Sequence, residues 1–114
     1  MNDAVDTKSY AIGILTDVVM GAAVVEYLER IDATLEPFGG HFLIHGAQST
    51  LHEGTEPGTL VLIEFSSTTG AASWYQSDAY QAIIALRADN SNSTILTIEG
   101  VPDGHLATDI LTTG

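Results

Sequence analysis

At 114 residues the chain is sized for one domain, which buries roughly two-thirds of the surface its unfolded form exposes. Hydrophobic residues make up 45% and charged residues 16%, the balance of a folded globular protein and not of a disordered segment. Fifteen acidic residues against three basic ones give a net charge of −12, which repels phosphate backbones and anionic lipid, so neither nucleic acid nor a membrane surface is an expected partner.

There is no Cys, which removes disulfides, thiolate metal sites and cysteine nucleophiles. No apolar run reaches the ~18 residues that a membrane span needs. The densest, VVMGAAVVEYL, is broken by Gly21 and Glu26. The leading MNDAVDTK is acidic where a secretory segment would be basic, so a cytoplasmic location is expected. Asn92-Ser93-Thr94 matches a glycosylation pattern and reads here as part of a turn.

Residues 1–8 read as a loose arm, 9–101 as the folded domain and 102–114 as a tail. In KSYAIGILTD, Tyr10, Ile12 and Ile14 alternate with Ala11, Gly13 and Leu15, which predicts a first strand, apolar on both faces and central. Asp17 is placed to cap the following helix. In that helix Val24, Leu28, Ile31 and Leu35 form an apolar stripe, ended by Pro37 and the Gly39-Gly40 pair. HFLIHGA predicts a second strand, with Phe42 and Ile44 on one face and His41, Leu43 and His45 on the other. TLVLIEFSS predicts a third, with Val61, Ile63 and Phe65 opposite Leu60, Leu62 and Glu64. STTGAASWYQ reads as a short helix, and Ser77 as the cap of another carrying Tyr80, Ile83, Ile84 and Arg87 on one face. DNSNS is a turn and TILTIEGV the last strand. The expected class is α+β, a ferredoxin-like βαββαβ order with an antiparallel sheet and a split second helix. Helices cover one face of such a sheet. The other face is also apolar here, so a homodimer packed sheet to sheet is expected.

The stretches EPFGGHFLIHG, LVLIEFSS, ASWYQSDAYQAIIALR and TILTIEGV together resemble the uncharacterised family named domain of unknown function 1330, over roughly residues 8–101. That family lies in the dimeric α/β-barrel superfamily, so the resemblance implies the dimeric barrel architecture. Glu53-Gly54 resembles the family's Glu-Gly in the hairpin loop. His41 and His45 stand where members usually carry basic residues, Ser66 replaces a Pro, and Val18 to Gly21 read as additional. Relatives in the superfamily include cofactor-independent monooxygenases, lactone isomerases and haem-degrading enzymes.

One Trp, four Tyr and three cations serve the whole chain, yet Trp74, Tyr75, Tyr80 and Arg87 fall within fourteen positions. Trp74 reads first as core packing and secondly as a pocket wall; Tyr80 and Arg87 read either as a donor and a fixed positive charge for a carboxylate or enolate, or as packing, with Arg87 paired to Asp78, Asp89 or a strand acid. Glu64, in an apolar strand, is either a general base or one half of a structural ion pair, with Arg87 or a dimer mate as candidate partners. His41 is placed to approach Glu64 across a hairpin. His41 and His45 lie about 13 Å apart along a strand at ~3.3 Å per residue, too far to share a metal ion. No nucleophile elbow, phosphate loop or dinucleotide glycine fingerprint is present, so no cofactor and no metal is expected. The expected function is binding of a small, partly apolar metabolite between sheet and helices, with Trp74, Tyr80, Arg87 and His45 as contacts. One alternative is a cofactor-independent isomerase, lyase or monooxygenase using Glu64, His41, Tyr80 and Arg87. Another is a purely structural dimer.

Overall fold

The computed structural model describes residues 7–112, and in it four strands form one antiparallel sheet. The strands are β1 (Ser9–Thr16), β2 (Gly40–His45), β3 (Thr59–Phe65) and β4 (Asn92–Glu99), in the spatial order β2-β3-β1-β4. Helix α1 (Ala22–Leu35) joins β1 to β2. Three short helices, α2 (Gly70–Gln76), α3 (Asp78–Gln81) and α4 (Ile84–Ala88), join β3 to β4. This is the ferredoxin-like α+β order, with the second helix divided. Residues 1–6 of the expected arm lie outside the described residues, as do 113–114 of the tail. After β4 the chain runs to a 3-10 turn over Ala107–Thr112, with Val101, Leu106, Ile110 and Leu111 exposed.

Helix α1 buries Val24, Tyr27, Ile31, Thr34 and Leu35. Tyr27, not Leu28, occupies the centre of the stripe, because steps of three and four from Val24 reach it equally well. Asp17 does not cap this helix. It adopts φ 54°, and its carboxylate accepts a hydrogen bond from Asn92 Nδ2 at 2.7 Å, while Gly21 is the cap residue without a side-chain bond. Ser77 does cap α3, its hydroxyl accepting from the Tyr80 amide. The start of α2 is tied to the sheet by Ser9, whose buried hydroxyl donates to the Ser67 carbonyl at 2.7 Å and accepts from the Ala71 amide at 2.9 Å. Leu35, Phe65, Trp74, Tyr80 and Ile83 are the large side chains wholly enclosed between helices and sheet.

The pairing of β2 with β3 contains an irregularity that decides where the site residues point. His41 pairs with Glu64 and Phe42 with Ile63, but then Ile44 pairs with Leu62 and His45 with Val61, leaving Leu43 as an extra residue. A bulge of one residue reverses the alternation beyond it. The expected grouping of Phe42 with Ile44 and of His41 with His45 is therefore corrected. His45 joins Phe42 on the helix face, the two rings stacked with centroids 4.2 Å apart, and Ile44 joins His41 on the other. That other face carries Tyr10, Ile12, Ile14, Leu62, Leu96 and Ile98, the last two 40% and 54% exposed.

Candidate ligand pocket between sheet and helices

The pocket exists because the central strand carries small residues where it passes under the helices. Ala11 and Gly13 are its floor, flanked in register by Ile63 and Val61 on β3 and by Ile95, opposite Gly13, on β4. Val24, Tyr27, Leu28 and Ile31 of α1 form the roof, and Trp74 and Tyr80 the inner wall. The cavity, open at one end, is about 240 Å³. Leu15, Gly46, Thr59 and the exposed Val18 and Met20 surround its outer end, so the segment read as additional in the sequence lies at the mouth.

Polar groups in this cavity are few and grouped. The Tyr27 and Tyr80 hydroxyls are hydrogen-bonded to each other at 2.6 Å, their rings edge to face. Arg87 is 5% exposed; its Nη1 donates to Ser93 Oγ, its Nη2 to the Tyr80 hydroxyl at 3.5 Å, and its carbon centre lies 5.6 Å from the Tyr27 ring centroid. Nε of Arg87 is buried with no partner. Burial works against the charge of Arg87, and the Tyr80 and Tyr27 hydroxyls more than offset it, leaving its pKa raised. Burial, and then the neighbouring Tyr80, pushes the Tyr27 phenol well above its usual pKa, so Tyr27 stays protonated. His45 opens into the same cavity from β2.

Trp74 belongs to core and pocket at once. It is 1% exposed, packs against Tyr80 with the rings tilted by 38° and centroids 4.0 Å apart, and its indole N–H donates to Thr34 Oγ1 at 2.9 Å. The Thr34 hydroxyl in turn donates to the Ile31 carbonyl at 2.6 Å. A buried indole with its one donor satisfied by helix α1 fixes the spacing between α1 and α2.

Glu64 and His41 lie on the opposite face of the sheet. Glu64 accepts from the Tyr10 hydroxyl at 3.0 Å and from Lys8 at 3.4 Å, and His41 Nε2 lies 3.3 Å from it. Burial raises the Glu64 pKa, but the Tyr10 and Lys8 bonds outweigh it and hold the carboxyl below its ordinary value. The same bond, above all, raises the Tyr10 phenol. The hairpin thus brings His41 to Glu64 as expected, but Glu64 pairs with Lys8 and not with Arg87. The four residues Glu64, His41, Tyr80 and Arg87 form two pairs separated by the sheet. Among the described residues no three His, Asp or Glu side chains cluster as a metal site, and no helix is long and apolar enough to cross a membrane.

The family model described as domain of unknown function (DUF1330) matches residues 8–101. The chain belongs to this family. Among solved structures, a protein of unknown function from Rhodopseudomonas palustris superposes with a TM-score of 0.61 at 11% identity, covering 88% of this chain and 85% of that one. A dimeric ferredoxin-like protein of unknown function from a Jannaschia species gives 0.53 at 10% identity, with 82% and 99% covered. A dabb family protein with a ferredoxin-like fold from Mesorhizobium loti gives 0.51 at 14% identity, with 86% and 99% covered. These likenesses establish the ferredoxin-like fold. No curated protein matches the sequence.

Three contributors to the pocket of this DUF1330 chain went unread in the sequence. Tyr27 carried a signal, being three residues after Val24 and four before Ile31 on a helical face. Gly13 carried a weaker one, as a glycine inside an apolar strand. Ser93, which receives Arg87, carried none, since it sits in a stretch read as a turn that in fact begins β4.

Proposed function

We propose that this DUF1330 protein is a cytoplasmic homodimer that binds a small, partly apolar metabolite in the cavity between its sheet and helices. The observation that carries the reading is the cavity, built by Ala11 and Gly13 under an otherwise closely packed roof. An engineered cavity of about 150 Å³ lined by aliphatic and aromatic side chains holds benzene. A volume near 240 Å³ suits a ligand of about one ring with a short substituent. Trp74, Tyr80, Arg87 and His45 are its proposed contacts. The dimer rests on the uncovered apolar sheet face, where Ile44, Leu96 and Ile98 are 41%, 40% and 54% exposed. Two copies pairing through that face would bury Leu62, Leu96 and Ile98 and enclose the Glu64–His41 pair at the interface. Native mass spectrometry tests both parts. A dimer carrying a reproducible small-molecule adduct supports them; a bare monomer that no small apolar compound stabilises in thermal melts refutes them.

A second reading, a cofactor-independent isomerase, lyase or monooxygenase, is favoured by the hydrogen-bonded Tyr27 and Tyr80 hydroxyls beside Arg87 in a cavity that also holds an imidazole. There Arg87 and Tyr80 would stabilise an oxyanion or enolate and His45 would move the proton. Glu64 and His41 keep an acid–base role only for a substrate on the other face of the sheet. Turnover of the bound compound by the native protein, lost in His45→Gln with binding retained, distinguishes this reading from simple binding. A purely structural dimer binds nothing in the cavity and fails the adduct test.

A further inference from the structure

The three cationic side chains of the chain are treated differently by the fold. Lys8 and Arg30 are about half exposed, and each has a carboxylate partner, Glu64 at 3.4 Å and Glu26 at 2.8 Å. Arg87 is the buried one, and no carboxylate among the described residues forms an ion pair with it. Fifteen acidic residues were available to supply one. A guanidinium offers five N–H donors, and the bonds it makes to Ser93 and Tyr80 use two. Nε is left with no partner at all. Tyr27, beside it, is held in its neutral form by burial and supplies no counter-charge. The two phenols share a single hydrogen bond, so one hydroxyl hydrogen of the pair is also unused. A buried N–H donor without a partner is costly unless something completes its shell.

Building on the binding role proposed above, we infer that the ligand is a small monoanion, an apolar body bearing one carboxylate- or enolate-type oxyanion seated against the Arg87 guanidinium and the Tyr27–Tyr80 hydroxyls. One guanidinium balances one charge. A dianion such as a phosphate monoester would carry its second charge into walls made of Val24, Ile31, Val61 and Ile95. The apolar body then runs over Gly13 beneath α1. With a surface of net charge −12 the protein gains no general attraction for anions, so preference for one must come from this buried position.

The test compares isosteres in the native protein, with the single Trp74 at the cavity wall as fluorescence reporter and calorimetry as a second readout. The probes are phenylacetate and hexanoate against phenylacetamide and hexanamide. The acids are expected to bind at least ten-fold more tightly than the amides, and Arg87→Met is expected to erase that preference while remaining folded. The ligand-free variant gives up the bonds to Ser93 and Tyr80 and is expected to be modestly less heat-stable than the native protein while still melting cooperatively. Equal affinity for acid and amide overturns the anion inference and leaves the cavity reading standing. Absence of binding by all four probes overturns both. If Arg87→Met does not fold, Arg87 is a structural cation and the inference fails, whatever the probes do.

Discussion

The indole of Trp74 spans the roles of core residue and pocket wall, and its hydrogen bond to Thr34 allows the two to be separated. Thr34→Val keeps the shape of the side chain and removes the acceptor, leaving a fully buried N–H without a partner, at a cost of about 1–3 kcal/mol. Trp74→Phe also loses the bond, but the Thr34 hydroxyl retains the Ile31 carbonyl, so the polar part of that loss is about 1 kcal/mol, with a further cost for the void left by the smaller ring. In the Trp74→Phe background no N–H remains to be orphaned, and adding Thr34→Val should then cost less than about 0.5 kcal/mol. The coupling between the two sites is therefore expected at about 1–2 kcal/mol. Urea unfolding followed by far-ultraviolet circular dichroism measures it without needing the indole as probe, at one fixed protein concentration so that association does not shift the midpoints. In a thermal melt Thr34→Val alone should lower Tm by roughly 5–15 °C. Additive losses, or a Thr34→Val variant as stable as the native protein, would show that the indole N–H is satisfied elsewhere and that Trp74 does not hold α1 and α2 at their spacing.

Gly13→Val should abolish binding of any cavity ligand and destabilise by about 1–3 kcal/mol, since a Cβ there already lies 3.3 Å from Ile95 Cδ1 and 3.4 Å from Leu15 Cδ1; calorimetry and thermal melts check both, and retained binding refutes the placement. Leu96→Asp, at a site 40% exposed in the single chain, should leave the fold intact and convert the proposed dimer to a monomer by light scattering; a variant that stays dimeric would refute the sheet-face interface. Glu64 has its carboxyl pKa lowered in the fold, so its contribution to stability is present above the unfolded value of about 4.3 and is lost as pH falls through the folded one. Glu64→Gln should therefore lose less stability than the native protein between pH 7 and pH 3, and parallel melting profiles would remove Glu64 from the acid response.

Most of the fold was legible because it rests on two periodicities. Alternation at Ala11, Gly13 and Leu15 and at Val61, Ile63 and Phe65 marked the strands and the residues that share a face, though not which face the helices cover, and Ser77 marked a helix start by the chemistry of its hydroxyl. What escaped was decided by tertiary packing. Asp17 has the side chain of a cap, but the turn after β1 puts it in the left-handed region and hands its carboxylate to Asn92. Leu28 fits the stripe as well as Tyr27 does, and only the presence of Tyr80 beneath α1 selects the phenol.

The site was half legible, and one inserted residue explains the other half. A period of two assigns His41 and His45 to one face, and nothing in GHFLIH signals that Leu43 bulges out of register. Once it does, the histidines part. His45 turns in beside Phe42 and toward the cavity of Arg87, while His41 stays with Glu64 among the exposed apolar residues of the sheet. The bulge thus sorts the polar groups of β2 into two chemically separate settings. A carboxylate held ionised by Tyr10 and Lys8 suits fixing the register of a partner sheet more than accepting a substrate proton, because a lowered pKa weakens a general base. The buried guanidinium without a carboxylate partner among the described residues is the opposite case, its Nε still open to an acceptor. The binding and the association proposed above therefore fall to different residues on opposite faces of one sheet, so substitutions at Leu96 and at Arg87 should act on separate measurements.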